Sequence, residues 1–170
     1  MTDDESLAST HDHVDEIAKQ WQRERPDLNP NPMLPIGRIY RLHQHLRTAI
    51  ETVHQQFGLA TGEFDVLATL LRNGDPYCMT PTALFRSAML TSGAMTNRLN
   101  RLEKAGLIER IHDQNDRRSL LVQLSKDGKA LIDQMIVEHL KIENELLNNL
   151  TQEDQTQLNT LLKKWLSAFE

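Results

Sequence analysis

Apolar residues recur along most of this chain at the three-to-four-residue spacing of helices that bury one face. Val14, Ile17, Ala18 and Trp21 occupy i, i+3, i+4 and i+7, which predicts a helix over residues 10–24. Ile39, Leu42, Leu46, Ile50 and Val53 mark a longer helix running to about Phe57, where Gly58 ends it. The segment EFDVLATLLR, Glu63 to Arg72, is apolar on nearly every side and predicts a buried helix. A short helix from Pro81 to Ser87 has its proline in the first turn, and Ala88-Met89-Leu90 makes a turn after it. Thr91 then caps a helix to Lys104 whose inward stripe is Met95, Leu99 and Leu102, and Gly106 stops it. Residues 107–124 read as two strands joined by a loop rich in Asp, Asn and Arg. Ser125 opens a long helix to about Asn149, and Thr151 with Asp154 forms a capping box for a last helix. That helix carries Leu158, Leu161, Leu162, Trp165 and Phe169 along one stripe.

These elements predict a mostly α protein: a winged helix-turn-helix with a two-stranded β-wing, flanked by N- and C-terminal dimerisation helices. The expected organisation is N-terminal helices over 1–57, a DNA-binding domain over 58–124, and C-terminal helices over 125–170. Within the first part, PDLNPNPMLP at 26–35 holds four of the six prolines and is expected to be a rigid, extended connector. The flanking helices carry more apolar surface than a compact winged helix needs. They either pack on each other or, as a symmetric homodimer requires, on a second copy. There are no internal repeats and no low-complexity tracts.

The helix over 91–104 points to nucleic acid. Its outer side holds Ser92, Thr96, Asn97, Asn100, Arg101 and Lys104, small polar groups and cations suited to the DNA major groove. Thr91, Ser92, Thr96, Asn97, Asn100 and Arg101 are therefore candidates for base or phosphate contact. The loop tip around Asp116, Arg117 and Arg118 adds two guanidinium groups at a projecting turn. The net charge of -5 argues against nucleic acid only as a sum. Residues 86–118 hold seven Lys/Arg against four Asp/Glu, so the cations gather where DNA would lie.

The acidic start MTDDESLAST lacks the order of a signal peptide, and no apolar run approaches a membrane span. With one cysteine, an internal disulfide is excluded, and a soluble cytoplasmic protein is expected. No nucleotide-binding or nucleophile motif is present, which speaks against an enzyme and calls for no cofactor. His11/His13 and His43/His45 are spaced i, i+2 on different helix faces, so no metal site is expected. Cys78, in YCM, has no adjacent cation to activate it; an oxidant-sensing role for it is the alternative reading.

The stretch LTSGAMTNRLNRLEKAGLIER, the wing DQNDRRSLLVQLSKDGKAL and GEFDVLATLLRNGDPY resemble the MarR family of transcriptional regulators, and the resemblance spans essentially the whole chain. WQRERPDLNPNPM is similar to the PecS and urate-responsive subgroup, which adds a helix and a proline linker ahead of the family core. The resemblance implies an obligate dimer on palindromic DNA, usually a repressor released by a small ligand. It also implies that Arg118 enters the minor groove, braced by Asp116.

Arg98 lies on the inward stripe of its helix, and Asp65 is embedded in an apolar one. Burying either charge alone is costly, and pairing them would satisfy both. One reading is a plain buried salt bridge. The other is that an anionic ligand competes for Arg98 and shifts the helix. The subgroup resemblance implies the second, since its urate-binding residues match Trp21, Asp65, Arg98 and Arg110 here. Trp21 equally fits a core or dimer anchor, and Arg110 a solvated strand residue. Aromatic carboxylates and phenols would meet the same chemical needs as urate.

Overall fold

The computed structural model describes residues 11–60, 62–88, 95–113 and 119–170. The chain forms two compact units, Met1–Thr48 and Ala49–Glu170.

In the first unit, α1 (His13–Glu24) is started by Asp12, whose carboxylate accepts from the backbone N–H of Val14 and Asp15. The Asp15 carboxylate accepts in return from the Asp12 N–H, completing a capping box. This cap sets the helix start a turn later than the apolar pattern implied. Arg38 of α2 (Met33–Gln56) clamps both caps, with Nε 2.8 Å from Asp12 and Nη2 2.7 Å from Asp15. The guanidinium holds the Asp12 carboxyl down at about 2. Val14 is buried where Gly37 lets the two helices approach; a Cβ at Gly37 would meet Val14 Cγ1 at 2.9 Å.

The proline segment is not the extended connector its composition suggests. Its backbone turns twice, with Leu28 N–H donating to Arg25 O and Met33 N–H to Pro30 O. Met33, Leu34 and Pro35 already belong to α2. A proline within the first helical turn removes only an N–H that would have no intrahelical partner.

In the second unit, α3 (Glu63–Arg72) is the central core helix, with Val66, Leu67 and Leu70 fully buried. The strand β1 (Cys78–Met79) precedes α4 (Pro81–Ser87), which starts at Thr80 with Pro81 in its first turn. Helix α5 (Met95–Lys104) buries Met95, Leu99 and Leu102, the stripe the spacing predicts. Gly106 follows it in the left-handed region at φ +72°, which a glycine adopts without strain.

Strands β2 (Ile108–His112) and β3 (Leu120–Leu124) form the antiparallel wing, with Ile108 opposite Leu124 and His112 opposite Leu120. The sheet has a third strand that the two-stranded expectation lacks. β1 pairs with β3, Cys78 opposite Gln123 and Met79 opposite Val122, giving the order β1-β3-β2.

Ser125 caps α6 (Lys126–Leu146), accepting from Gly128 N–H and donating to Gly106 O at 2.6 Å. Gly128 sits against Leu107, where a Cβ would fall 1.9 Å from the carbonyl oxygen. The predicted Thr151–Asp154 capping box starts α7 (Gln152–Leu166). Leu158, Leu161, Leu162, Trp165 and Phe169 of the last stripe stay exposed in the single chain. No helix of the described residues is long and apolar enough to cross a membrane.

Candidate nucleic-acid interface and effector site

Helix α5 divides its faces as an element that packs on one side and reads on the other must. Met95, Leu99 and Leu102 are buried, while Thr96, Asn97, Asn100 and Arg101 are exposed. Thr96 and Asn97 point away from the core with no side-chain bond to described residues. The other two candidates are engaged with protein. Arg101 Nε donates to Glu63 Oε1 at 2.7 Å. Asn100 Oδ1 accepts from Arg110 Nη2 at 2.6 Å. Thr91, Ser92, Asp116, Arg117 and Arg118 lie outside the described residues.

The N-terminus of α3 is the electrostatic centre of this unit. Gly62 precedes it at φ +78°, and the Arg98 guanidinium lies against that glycine. A Cβ there would come within 2.5 Å of Arg98 Nε, so only glycine leaves the arginine its place. Two acids stand in the first turn, Glu63 and Asp65, where the helix dipole favours negative charge. Glu63 is 5% exposed. Its carboxylate is held on both sides, by Arg101 and by the Ala60 N–H at 2.6 Å from Oε2.

Asp65 is half-buried, and burial pushes its carboxyl above the usual carboxylate range. The positive charges of His139, Arg98 and Arg72, in that order, act against this without reversing it. So Arg98 and Asp65 do share a neighbourhood. At the same helix end a 2.7 Å ion pair joins Glu63 to Arg101.

Of the remaining expected ligand residues, Arg110 on β2 faces α5. It makes a 2.8 Å ion pair with Glu103 besides its bond to Asn100. Trp21 belongs to α1 in the first unit, and its side chain is 44% exposed. Cys78 is half-buried in β1.

The histidines contribute something the spacing argument missed. His54, at the end of α2, stacks on Phe64 of α3 and on His139 of α6, with centroids 4.4 and 5.2 Å apart. His54 Nε2 lies 3.1 Å from His139 Nδ1, and His139 Nε2 lies 3.2 Å from Glu143. Burial, then the His139 charge, pulls the His54 imidazole down to about 4. No periodicity joins positions 54, 64 and 139; only packing does. Among the described residues no group of three or more His, Cys, Asp or Glu is placed to hold a metal ion.

Comparison with known proteins places this arrangement among DNA-binding regulators. Residues 59–120 match the MarR family. Over 149 residues the chain is 40% identical to the HTH-type transcriptional regulator PecS of Dickeya dadantii (strain 3937), covering 88% of this chain and 90% of that protein. A crystal structure of a mutant MarR from Escherichia coli, complexed with operator DNA, superposes with TM-score 0.69 at 30% identity, covering 81% of this chain and 97% of that one. The Bordetella bronchiseptica regulator BpsR, whose DNA binding is regulated by 6-hydroxynicotinic acid, shares the fold at TM-score 0.66 and 23% identity, covering 75% of this chain and 89% of that one.

Proposed function

Because this chain belongs to the MarR family of DNA-binding transcriptional regulators, which are not enzymes, we propose that it is a cytoplasmic homodimeric repressor of a palindromic operator, released by a small anionic aromatic effector such as urate or a phenolic acid. The observation that carries this reading is the division of α5, whose buried stripe fixes the helix while Thr96 and Asn97 stand open to solvent.

In a two-fold dimer, two such helices would enter successive major grooves about one helical turn apart. Thr91, Ser92, Asn100 and Arg101 would extend the contact, and Asp116, Arg117 and Arg118 would serve the flanking minor groove. Exposed Leu42 and Leu46 on α2, Val137 and Leu140 on α6, and Leu161 and Trp165 on α7 support dimerisation. That much apolar surface is covered by a partner in soluble proteins.

The effector reading assigns Trp21, Asp65, Arg98 and Arg110 to the ligand. Arg98, a permanent cation beside a carboxyl destabilised by burial, is a receptor for an anion that relieves or replaces Asp65. Trp21 supplies an exposed aromatic face. BpsR, of the same fold, is regulated by a heteroaromatic acid.

The test is a mobility shift on a selected palindromic duplex, titrated with urate, xanthine and phenolic acids. One of them is expected to release wild-type protein at concentrations that leave Arg98→Ala bound. A protein that enriches no palindrome, or that Arg98→Ala leaves equally responsive, would overturn the reading.

A further inference from the structure

Arg110 ties the wing to the open face of α5. Its backbone is fixed in β2, opposite Val122 of β3. Only residues 105–107 separate α5 from β2, and Leu102 and Ile108 anchor the two elements in one core. From there the guanidinium reaches back to α5 with two different nitrogens. Nη1 makes the 2.8 Å ion pair with Glu103, and Nη2 donates to Asn100 Oδ1 at 2.6 Å. Asn100 and Glu103 are three residues apart, neighbours on one side of the helix. Held at two points, the planar guanidinium has a defined orientation, so the Glu103 pair fixes where the nitrogen beside Asn100 lies.

The chemistry of that contact decides which way the Asn100 amide faces. A guanidinium only donates, so the atom beside it is the carbonyl oxygen rather than the NH2 group. Nδ2 is then the end that Asn100 can turn toward another molecule. The residue is exposed, as are Thr96 and Asn97 one turn earlier. A free asparagine amide recognises adenine by donating to N7 while accepting from the N6 amino group. With its acceptor taken by Arg110, this amide offers donors alone. Guanine is the base that presents two adjacent acceptors, O6 and N7, in the major groove. Adenine sets an amino group where guanine has O6, and that amino group then meets a donor.

We propose that Arg110 is a specificity-determining residue for operator recognition. By occupying the Asn100 carbonyl, it makes Asn100 a donor-only reader that selects guanine where a free asparagine would select adenine. Arg110 acts as a positioning residue, and it need not touch DNA itself. The inference rests on the reading of Asn100 as a major-groove residue, and it holds whether or not an effector exists.

Selection of bound sequences from randomised duplexes, with the full-length protein and its variants, tests this. Asn100→Ala locates the position, as the one in each half-site whose base preference it relaxes. Wild type is expected to prefer guanine over adenine there by about five-fold or more, the lower end of what one base contact contributes. Arg110→Met keeps an aliphatic stem but has no donor, which frees the amide to turn. Adenine should then equal or exceed guanine at that position and at no other. Arg110→Lys retains a donor for Oδ1 and should keep the guanine. A role of Arg110 confined to bracing the fold would lower affinity for every sequence alike and leave the preference where it was.

Any base other than guanine selected by wild type at that position would overturn the inference while leaving Asn100 in the groove. So would a guanine preference that Arg110→Met leaves intact. An Asn100→Ala protein that relaxes no position would remove the groove reading itself, and the inference with it. If Arg110→Met fails a thermal-melt check, the base that wild type selects at the Asn100 position still decides.

Discussion

Replacing His54 by Gln should remove a large part of the acid sensitivity of this fold. The wild-type imidazole is buried in the stack with Phe64 and His139, and its pKa falls from 6.5 to about 4. Between those values the unfolded chain takes up a proton that the native chain refuses. The depressed pKa of a base means that stability is complete above pH 6.5 and is lost as pH falls toward 4. At about 1.4 kcal/mol per pKa unit, the loss is roughly 3 kcal/mol. That is a sizeable share of the ~5–15 kcal/mol that holds a domain together.

Gln at this position has an amide that can still donate toward His139 Nδ1 but does not titrate. It should be the less stable protein at pH 7.5, where the ring stacking is lost. The gap should then shrink by about 3 kcal/mol at pH 4. Urea unfolding at fixed protomer concentration, stepped between those pH values, reads this directly, because a fixed concentration holds constant whatever the proposed dimer contributes to apparent stability. Two curves that stay parallel across the range would refute the assignment of the acid response to His54.

Four further outcomes are expected. Gly128→Ala drives a methyl into the Leu107 carbonyl and should cost about 1–3 kcal/mol of stability, seen as a lowered urea midpoint at unchanged slope. Asp65→Asn should raise the melting temperature at pH 7.5 and lose that advantage near pH 3.5. The raised pKa of Asp65 means its ionised form is the disfavoured one, so the stability it contributes disappears as pH rises. Asn97→Ala should weaken operator binding by about 1–3 kcal/mol while sparing non-specific DNA. Arg118→Ala should instead lower the salt slope by about one unit on any duplex, measured by titrations at several salt concentrations.

Much of the fold was legible because it is written in local chemistry. The Met95, Leu99 and Leu102 stripe, the Gly106 stop, the Ser125 cap and the Thr151–Asp154 box each involve residues within two turns of one another. Backbone geometry alone brings such positions together. The exposed faces of Thr96 and Asn97 follow from the same periodicity. The site was less legible. An argument from charge burial picked out Asp65 and Arg98 as neighbours. It did not anticipate that Glu63, two residues nearer the helix end, forms the short pair with Arg101. Nor did it anticipate that Arg110 turns to Asn100 and Glu103.

The amino-acid order by itself determined several of the helix caps, which face each helix buries, and that a basic hairpin follows the helix with an open polar side. It did so because those properties depend on neighbours three or four positions away. Packing alone decided which charges meet, that a two-residue strand at Cys78 joins the wing, and that His54 and His139 touch. Those pairs are separated by tens of residues, so no repeat along the chain encodes them. They are selected by whichever arrangement leaves the fewest buried polar groups without a partner.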